Sequence, residues 1–365
     1  MNKQKKILIL TGGTGGHVIP AVNYANYLIS QGYQCSILLD KRGSKYVKKF
    51  NGKVYIISSS HLSGNYYYKF KSLINLLIGF MQSFFLIIKL RPKKCISFGS
   101  YATFLPLFVI LILKIFTKTH IYIHEQNSVI GKVNLLFLPY SKYIFTNFDY
   151  VKKIDNKFFH KIFFTGIPES YKKMPICHKK YQTEDKYIIL IYGGSQGAIN
   201  IINFFLLMLK NLDSKFLKKI KLIIQAPKKF LFDLNLNIEK LKIEFEISEF
   251  YENLYEILSI TDLAITRAGA GTINDLIKFR IPSIIFPISN SIYNHQFYNA
   301  KYLADKNAAI LVDENNFNLD NNAFKLIELL SDKEKLKDMK KALEDITLPN
   351  ANKLITRKVF YENVK

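Results

Sequence analysis

A chain of 365 residues, 49% of them apolar, has enough core-forming side chains for two ordinary domains. Its 52 Lys and Arg against 28 Asp and Glu give a net charge of +24, which favours anionic partners, although part of the excess belongs to a Lys-, Asn- and Ile-rich, Trp-free composition of the kind an AT-rich coding sequence produces. Cys35, Cys95 and Cys177 are odd in number, far apart and without CxxC spacing, which argues against a disulfide framework or a cysteine zinc site and fits a reducing cytoplasm.

The chain starts basic, with Lys3, Lys5 and Lys6, but the apolar run that follows covers only residues 7–10 before Thr11 and a group of glycines interrupt it. That is too short for the core of a signal peptide and reads as the first strand of a mature protein. The strand opens into GGTGGH, residues 12–17, and then a helix. A glycine-dense turn in that position lets backbone N–H groups approach a diphosphate closely, and the helix N-terminus adds a partial positive charge. His17 stands at the rim as a candidate base. The spacing is not that of G-x-G-x-x-G followed by an acidic partner, so the loop alone does not separate dinucleotide binding from other diphosphate chemistry.

Further apolar runs without alternation follow at 35–39, 54–57, 95–98, 120–124, 143–146 and 162–165, separated by helical stretches. Such runs are expected of a parallel sheet covered on both faces. The pattern restarts at 187–192, 221–225, 243–246, 263–266, 283–286 and 309–311, so the expected fold class is α/β with two successive doubly wound domains and a boundary near Gly166 and Pro168. Beyond about residue 330 the chain is charged and helical, and Pro349 breaks it before a last basic helix.

Segments 73–90 and 104–116 are unusually apolar. The first is at the short edge of bilayer-spanning length and carries Asn75, Gln82 and Ser83; the second is shorter and contains Pro106. Two readings are open: buried helices, or an apolar face lying in a membrane interface. For the second, Lys69, Lys71, Lys89, Arg91, Lys93 and Lys94 would attract an anionic bilayer at roughly 1 kcal/mol for each well-placed charge.

Four more motifs sit at expected strand ends, where open α/β sheets bind ligands. SFGSYATFLP, residues 97–106, is either a ligand loop or a simple strand-to-helix turn. HEQN, residues 124–127, places four polar side chains after an apolar strand; buried, they need a network, and otherwise they face a polar ligand. GGSQGA, residues 193–198, opens the second half like the first loop, with Ser195 able to donate to a phosphate. TRAGAGTINDL, residues 266–276, would aim the N–H groups of Ala270, Gly271 and Thr272 at a diphosphate; Asp275 is either a ribose acceptor or a partner of the helix dipole. NHQFYNA, residues 294–300, adds polar side chains after a further strand.

In this order and spacing, GGTGGH, the Gly99-Ser100-Tyr101 loop, HEQN, GGSQGA, the R-x-GAGT helix with its acid, and HQ-x-x-NA resemble the MurG family of GT-B glycosyltransferases (family 28), over nearly the whole chain. The resemblance implies two doubly wound Rossmann-like domains with parallel sheets facing an interdomain cleft. Residues 1–166 would take the lipid acceptor and the membrane, 167–348 would take UDP-GlcNAc, and 349–365 would form a helix returning to the first domain. It implies an inverting transfer of N-acetylglucosamine from UDP-GlcNAc to the 4-hydroxyl of MurNAc in undecaprenyl-pyrophosphoryl-MurNAc-pentapeptide (lipid I), giving lipid II for peptidoglycan, with no metal and no cofactor. The implied partners are UDP-GlcNAc, lipid I, the anionic cytoplasmic face of the inner membrane, where the protein would sit peripherally, and other cell-wall synthesis proteins; no nucleic acid is implied.

Residue by residue, the resemblance makes His17 the general base, a role that suits a histidine at cytoplasmic pH, and Glu125 a catalytic residue that supports it or orients the acceptor. Thr14, Gly15, Gly16, Asn127, Ser195, Ala270, Gly271, Thr272, His295 and Gln296 would contact UDP-GlcNAc, with Asp275 on the ribose and the Tyr251 backbone on uracil. Gly13, Gly99, Ser100 and Tyr101 would take the lipid pyrophosphate. The chain departs from the family in having Asp275 where glutamate is usual, Ser170 where an arginine is common, and Tyr293-Asn294 where aspartates usually precede HQ. The alternatives are another UDP-sugar-dependent GT-B transferase with a different acceptor, and a non-catalytic membrane-surface protein. A nicotinamide Rossmann enzyme is disfavoured, since it would need an acid at the end of the second strand and only one dinucleotide unit.

Overall fold

In the computed structural model the described residues are 6–60, 65–170, 186–193, 199–210, 212–289, 291–313, 329 and 332–362. The chain divides into two compact units, Met1–Lys173 with Pro349–Lys365, and Met174–Leu348. All thirteen apolar runs are strands, each within two residues of its expected start and end. β1 (Lys6–Leu10), β2 (Gln34–Asp40), β3 (Lys53–Ile57), β4 (Lys94–Ser97), β5 (His120–Glu125), β6 (Tyr143–Thr146) and β7 (Ile162–Phe164) form a seven-stranded sheet in the order β3-β2-β1-β4-β5-β6-β7. β8 (Tyr187–Tyr192), β9 (Ile220–Gln225), β10 (Glu244–Ser248), β11 (Leu263–Thr266), β12 (Ser283–Ile285) and β13 (Ala309–Leu311) form a six-stranded sheet in the order β10-β9-β8-β11-β12-β13. Every pairing between these strands is parallel.

Parallel strands need crossovers, and the crossovers supply the helices that cover both faces. On one face of the first sheet Ile7, Ile9, Ile37 and Phe98 pack under helix α1 (Gly15–Ser30) and the C-terminal helix Ala351–Phe360, whose Ile355 and Val359 are fully buried. The Tyr24 hydroxyl reaches Thr356 Oγ1 at 3.2 Å, so the last helix is built into the first unit. On the other face Leu8, Leu10, Ile121 and Ile123 pack under α2 (Tyr66–Leu90) and α3 (Phe104–Ile112). The first unit runs past residue 166: Pro168 O and Glu169 O accept from Asn23 Nδ2 and Asn352 Nδ2.

α2 has an inverted burial pattern. Its inward seam carries the small residues Ser72, Gly79 and Ser83 before the fully buried Ile87, while Leu73, Leu77, Met81 and Phe85 lie exposed, Phe85 at 62%. The seam is tight: a Cβ on Gly79 would fall 2.0 Å from the Ser58 carbonyl oxygen. By length and composition α2 could cross a membrane, yet its lysines and its packing under β3 and α3 hold it along the first unit, with only 17% of the apolar window buried. Of the two readings open from sequence, a fully buried helix therefore fails for α2, because Leu73, Leu77, Met81 and Phe85 are turned outward while Ile87 and the partly buried Phe80 and Phe84 face the core.

Candidate active site

In each sheet the strand order reverses once, between β1 and β4 and between β8 and β11, and ligands bind open sheets outside the carboxyl ends of the strands at such points. The sequence motifs map there. In the first unit the 12–17 loop follows β1, the 98–101 loop follows β4 and HEQN ends β5. In the second unit Gly193 follows β8, the rest of its motif lying outside the described residues, and residues 267–272 follow β11.

Thr14 caps α1 with extended backbone but without a side-chain hydrogen bond, so the N–H groups of Gly15 and Gly16 have no intrahelical acceptor. Gly12 and Gly13, at φ +158° and +74°, bring the turn against the 98–101 loop, where a Cβ on Gly13 would lie 2.9 Å from Ser100 Oγ. Ser100 itself holds φ +83°, and Gly99 at φ +77° sits against the Asn134 amide. The two loops expected to share a pyrophosphate are thus adjacent. The Gly13 N–H is already taken, however, donating to Asp40 Oδ1 at 2.8 Å.

Asp40 is the residue that sequence reasoning missed. An acid does end β2, as a nicotinamide enzyme would require, but its carboxylate is 3% exposed and turned inward. It accepts from the N–H groups of Gly13 and Gly43 and from Arg42 Nε at 2.6 Å. Burial alone would raise its pKa; the hydrogen bonds from Gly13 and Arg42 and the guanidinium charge outweigh that and lower it. Its oxygens serve the glycine turn and are not presented to a ribose. The signal was a polar residue closing an apolar strand.

His17, half-buried on the first turn of α1, has Nδ1 2.9 Å from Phe98 O and 2.9 Å from Gln126 Oε1. Both partners can only accept, so Nδ1 carries the proton and Nε2 is left as the lone pair. His124 is fully buried and stacks on Phe98 with ring centroids 5.0 Å apart. Burial pushes its pKa down to about 4, against the opposing bond to Gly166 O and with a further lowering from His17.

Of the two roles expected of Glu125, supporting His17 or orienting the acceptor, the first finds no contact among its hydrogen bonds. Its carboxylate is buried and accepts from Asn127 N at 3.0 Å, Asn127 Nδ2 at 3.3 Å, Gly131 N at 2.9 Å and Asn134 Nδ2 at 2.8 Å. It knits the loop after β5 and fixes Asn127, while the side chain touching His17 is the neighbouring Gln126. In a strand alternate residues face opposite sides, and here that alternation separates Glu125 from His124 and Gln126.

In the second unit Ala270, Gly271 and Thr272 form the first turn of the helix Ala270–Phe279, capped by Gly269 without a side-chain bond. A Cβ on Gly271 would meet nothing within 4 Å, so the turn is open. Asp275 lies one turn further, partly exposed, close enough to raise the pKa of the buried Tyr192 hydroxyl, though burial is the larger cause. The Tyr251 hydroxyl is 3.2 Å from both Ile224 O and Glu246 O, which anchors the backbone just past β10. Gln296 Oε1 accepts from Ile288 N and Ala268 N, tying the ends of β11 and β12 together, and Asn299 Nδ2 donates to Ala268 O. His295 is partly exposed at the start of its helix, and Tyr293 and Asn294 just before it hold φ +55° and +54°. Ser195 lies outside the described residues, as does Cys177. No group of three or more His, Cys, Asp or Glu with metal-ligand geometry occurs among the described residues.

Two domain models match in order: glycosyltransferase family 28 N-terminal domain over residues 7–146 and glycosyltransferase family 28 C-terminal domain over 188–355. A protein of Wolbachia sp. subsp. Drosophila simulans (strain wRi) named UDP-N-acetylglucosamine–N-acetylmuramyl-(pentapeptide) pyrophosphoryl-undecaprenol N-acetylglucosamine transferase is 35% identical over 94% of this chain and 95% of its own length. One of the same name from Rickettsia felis is 33% identical over 92% and 93%. The crystal structure of Acinetobacter baumannii MurG superposes with a TM-score of 0.77 at 22% identity, covering 97% of this chain and 99% of that one, which identifies the fold as GT-B. With that kinship running almost end to end, the chain belongs to glycosyltransferase family 28.

Proposed function

We propose that this glycosyltransferase moves N-acetylglucosamine from UDP-GlcNAc to the 4-hydroxyl of MurNAc in lipid I, with inversion, giving lipid II. The observation that carries the reading is the near full-length identity with transferases named for that donor and acceptor. The residues of each unit suit the following chemistry. His17 Nε2 takes the proton of the 4-hydroxyl as its oxygen attacks the anomeric carbon; the bond from that carbon to the UDP oxygen breaks on the opposite face, and UDP leaves with the electron pair. Charge growing on the diphosphate is met by the N–H groups of Ala270, Gly271 and Thr272 and the dipole of their helix, with Ser195 adding a hydroxyl. These groups occupy the part that a cation plays in metal-dependent transferases.

Asp275 would hold the ribose, the anchored backbone at Tyr251 the uracil, and His295 and Gln296 the donor sugar and phosphates; Asn127, oriented by Glu125, would reach the sugar. The N–H groups of Gly15 and Gly16, the Ser100 hydroxyl and Tyr101 would receive the lipid pyrophosphate, with Gly13 shaping the turn and not donating to the ligand. The outward face of α2, continued by Phe108 and Ile112 of α3 and by Ile115 and Phe116, would lie in the interface of an anionic membrane, flanked by Lys71, Lys89, Arg91 and Lys93. On this reading the protein would sit peripherally on the cytoplasmic face, where its lipid acceptor would be met.

The test is transfer of labelled GlcNAc to a soluble lipid I analogue in EDTA, with UDP-glucose as control donor. Product from UDP-GlcNAc alone is the expected result. Absence of product despite measurable UDP binding would overturn the acceptor assignment.

A further inference from the structure

The Gln126 side chain joins two histidines of the first unit, His17 and His124, and its orientation is determined by its neighbours. His124 Nε2 is 3.0 Å from Gly166 O, which can only accept, so Nε2 carries the hydrogen. The ring is fully buried, meets no acid among the described residues and stays neutral, which leaves Nδ1 as an acceptor. Gln126 Nε2 lies 3.1 Å from that Nδ1 and 3.1 Å from His124 O, and donates to both. The amide oxygen is therefore the end that meets His17 Nδ1 at 2.9 Å. The opposite amide orientation would set an NH2 group against His17 and would require a proton on both nitrogens of the buried His124. The backbone around this chain is fixed as well: Asn147 Nδ2 donates to Gln126 O at 3.1 Å, and Gly166 at φ +76° packs against Pro349 O.

We propose that Gln126 is a positioning residue for the transfer reaction: at the end of the directed chain Gly166 O, His124, Gln126, His17, it acts together with Phe98 O to hold the tautomer and orientation of His17 that leave the lone pair on Nε2. The chemical consequence lies in its being an amide. A carboxylate in that place would also accept from Nδ1, but it would add a negative charge beside the imidazolium and hold the proton more firmly; the neutral oxygen orients the ring without that effect. The proposal rests on reading His17 as the base, and it assigns the orienting role to Gln126 and His124 in place of Glu125.

The experiment compares the full-length enzyme with Gln126→Leu and Gln126→Glu, reading kcat and KM against pH with the soluble acceptor analogue, and the His17 ring nitrogens by 15N NMR, assigned with His17→Gln. UDP affinity, measured separately, serves as the folding control. For Gln126→Leu the expected results are a mixed His17 tautomer and a fall in kcat of about tenfold or more with KM for UDP-GlcNAc within about twofold. For the near-isosteric Gln126→Glu the expected result is retention of the Nδ1–H tautomer with the acid limb of kcat moved to higher pH, because a carboxylate favours the protonated ring. An unchanged tautomer in Gln126→Leu, or a wild-type His17 with its proton on Nε2, would overturn the positioning role. A tautomer change in Gln126→Leu with no loss of kcat would instead sustain the positioning of His17 and overturn its role as base.

Discussion

The carboxylate of Asp40, at the end of β2, accepts the N–H of Gly13 at 2.8 Å, from 27 residues further along the chain. The first glycine turn is thereby held from below by an acid that also binds Gly43 N and Arg42. A turn built from positive-φ glycines has little stiffness of its own, and this contact supplies it.

Asp40→Ala should leave two backbone donors and a guanidinium without their acceptor. The expected loss is about 2–3 kcal/mol of stability, read by urea unfolding, with a rise in KM for the lipid I analogue. Asp40→Asn, which keeps an acceptor for Gly13 but loses the charge pairing with Arg42, should fall between wild type and alanine. An Asp40→Ala enzyme with wild-type stability and acceptor KM would show that the turn stands without it.

His17→Ala should lower turnover by at least about a hundredfold while leaving UDP affinity within about twofold. The side chain is bonded to Phe98 O and Gln126, both in the first unit, and the groups proposed to hold the UDP moiety lie in the second. Calorimetric titration of UDP beside a transfer assay decides it: collapse of UDP binding would make His17 part of the donor site.

Acid should destabilise the protein through His124. Its pKa falls from 6.5 when unfolded to about 4 when folded, so the unfolded chain binds the extra proton first. Stability from this group is complete above about pH 6.5 and is lost as pH falls toward 4, a span worth about 3 kcal/mol as an upper figure. Urea midpoints between pH 7 and 4.5 measure the slope, which His124→Asn should flatten.

Leu77→Glu combined with Phe85→Glu should abolish sedimentation with vesicles containing anionic lipid and leave transfer to a soluble acceptor analogue unchanged. Both side chains are exposed, at 59% and 62%, so the double variant should fold normally. Undiminished vesicle binding would remove this face of α2 from the membrane contact.

Gly79→Ala should be far more damaging than a typical surface substitution on the same helix. Its Cβ would meet the Ser58 carbonyl oxygen at 2.0 Å, and that atom is backbone. Displacing the strand end or the helix should cost about 2–4 kcal/mol, visible as a lower melting temperature. An unchanged melting temperature would mean that the seam between α2 and β3 is looser than its geometry.

The strands, the glycine turns and the division into two doubly wound units were legible because each is written locally. An apolar run that lacks alternation identifies a strand buried on both faces wherever it occurs, and a glycine group after it identifies a turn into a helix. The described motifs also fall at the carboxyl end of each sheet, since parallel strands place all their carboxyl ends on one side. The side-chain partners were a different matter. Glu125 and Gln126 are neighbours in HEQN, and nothing local says which of them turns toward His17, 108 and 109 residues away in sequence. The same holds for Asp40, whose partner at Gly13 appears only when β1 and β2 lie in register, and for α2, whose composition does not reveal that its small residues face inward.

The sequence by itself determined the elements, their parallel arrangement and the chemical identity of the loops, because periodicity, glycine content and strand-end placement act over a few residues. Only the tertiary structure decided which polar groups meet: Gln126 beside His17, Glu125 holding the loop after β5, Asp40 beneath the glycine turn. Those pairings depend on strand register and on which face of the sheet a side chain enters, and these are fixed when distant segments pack together.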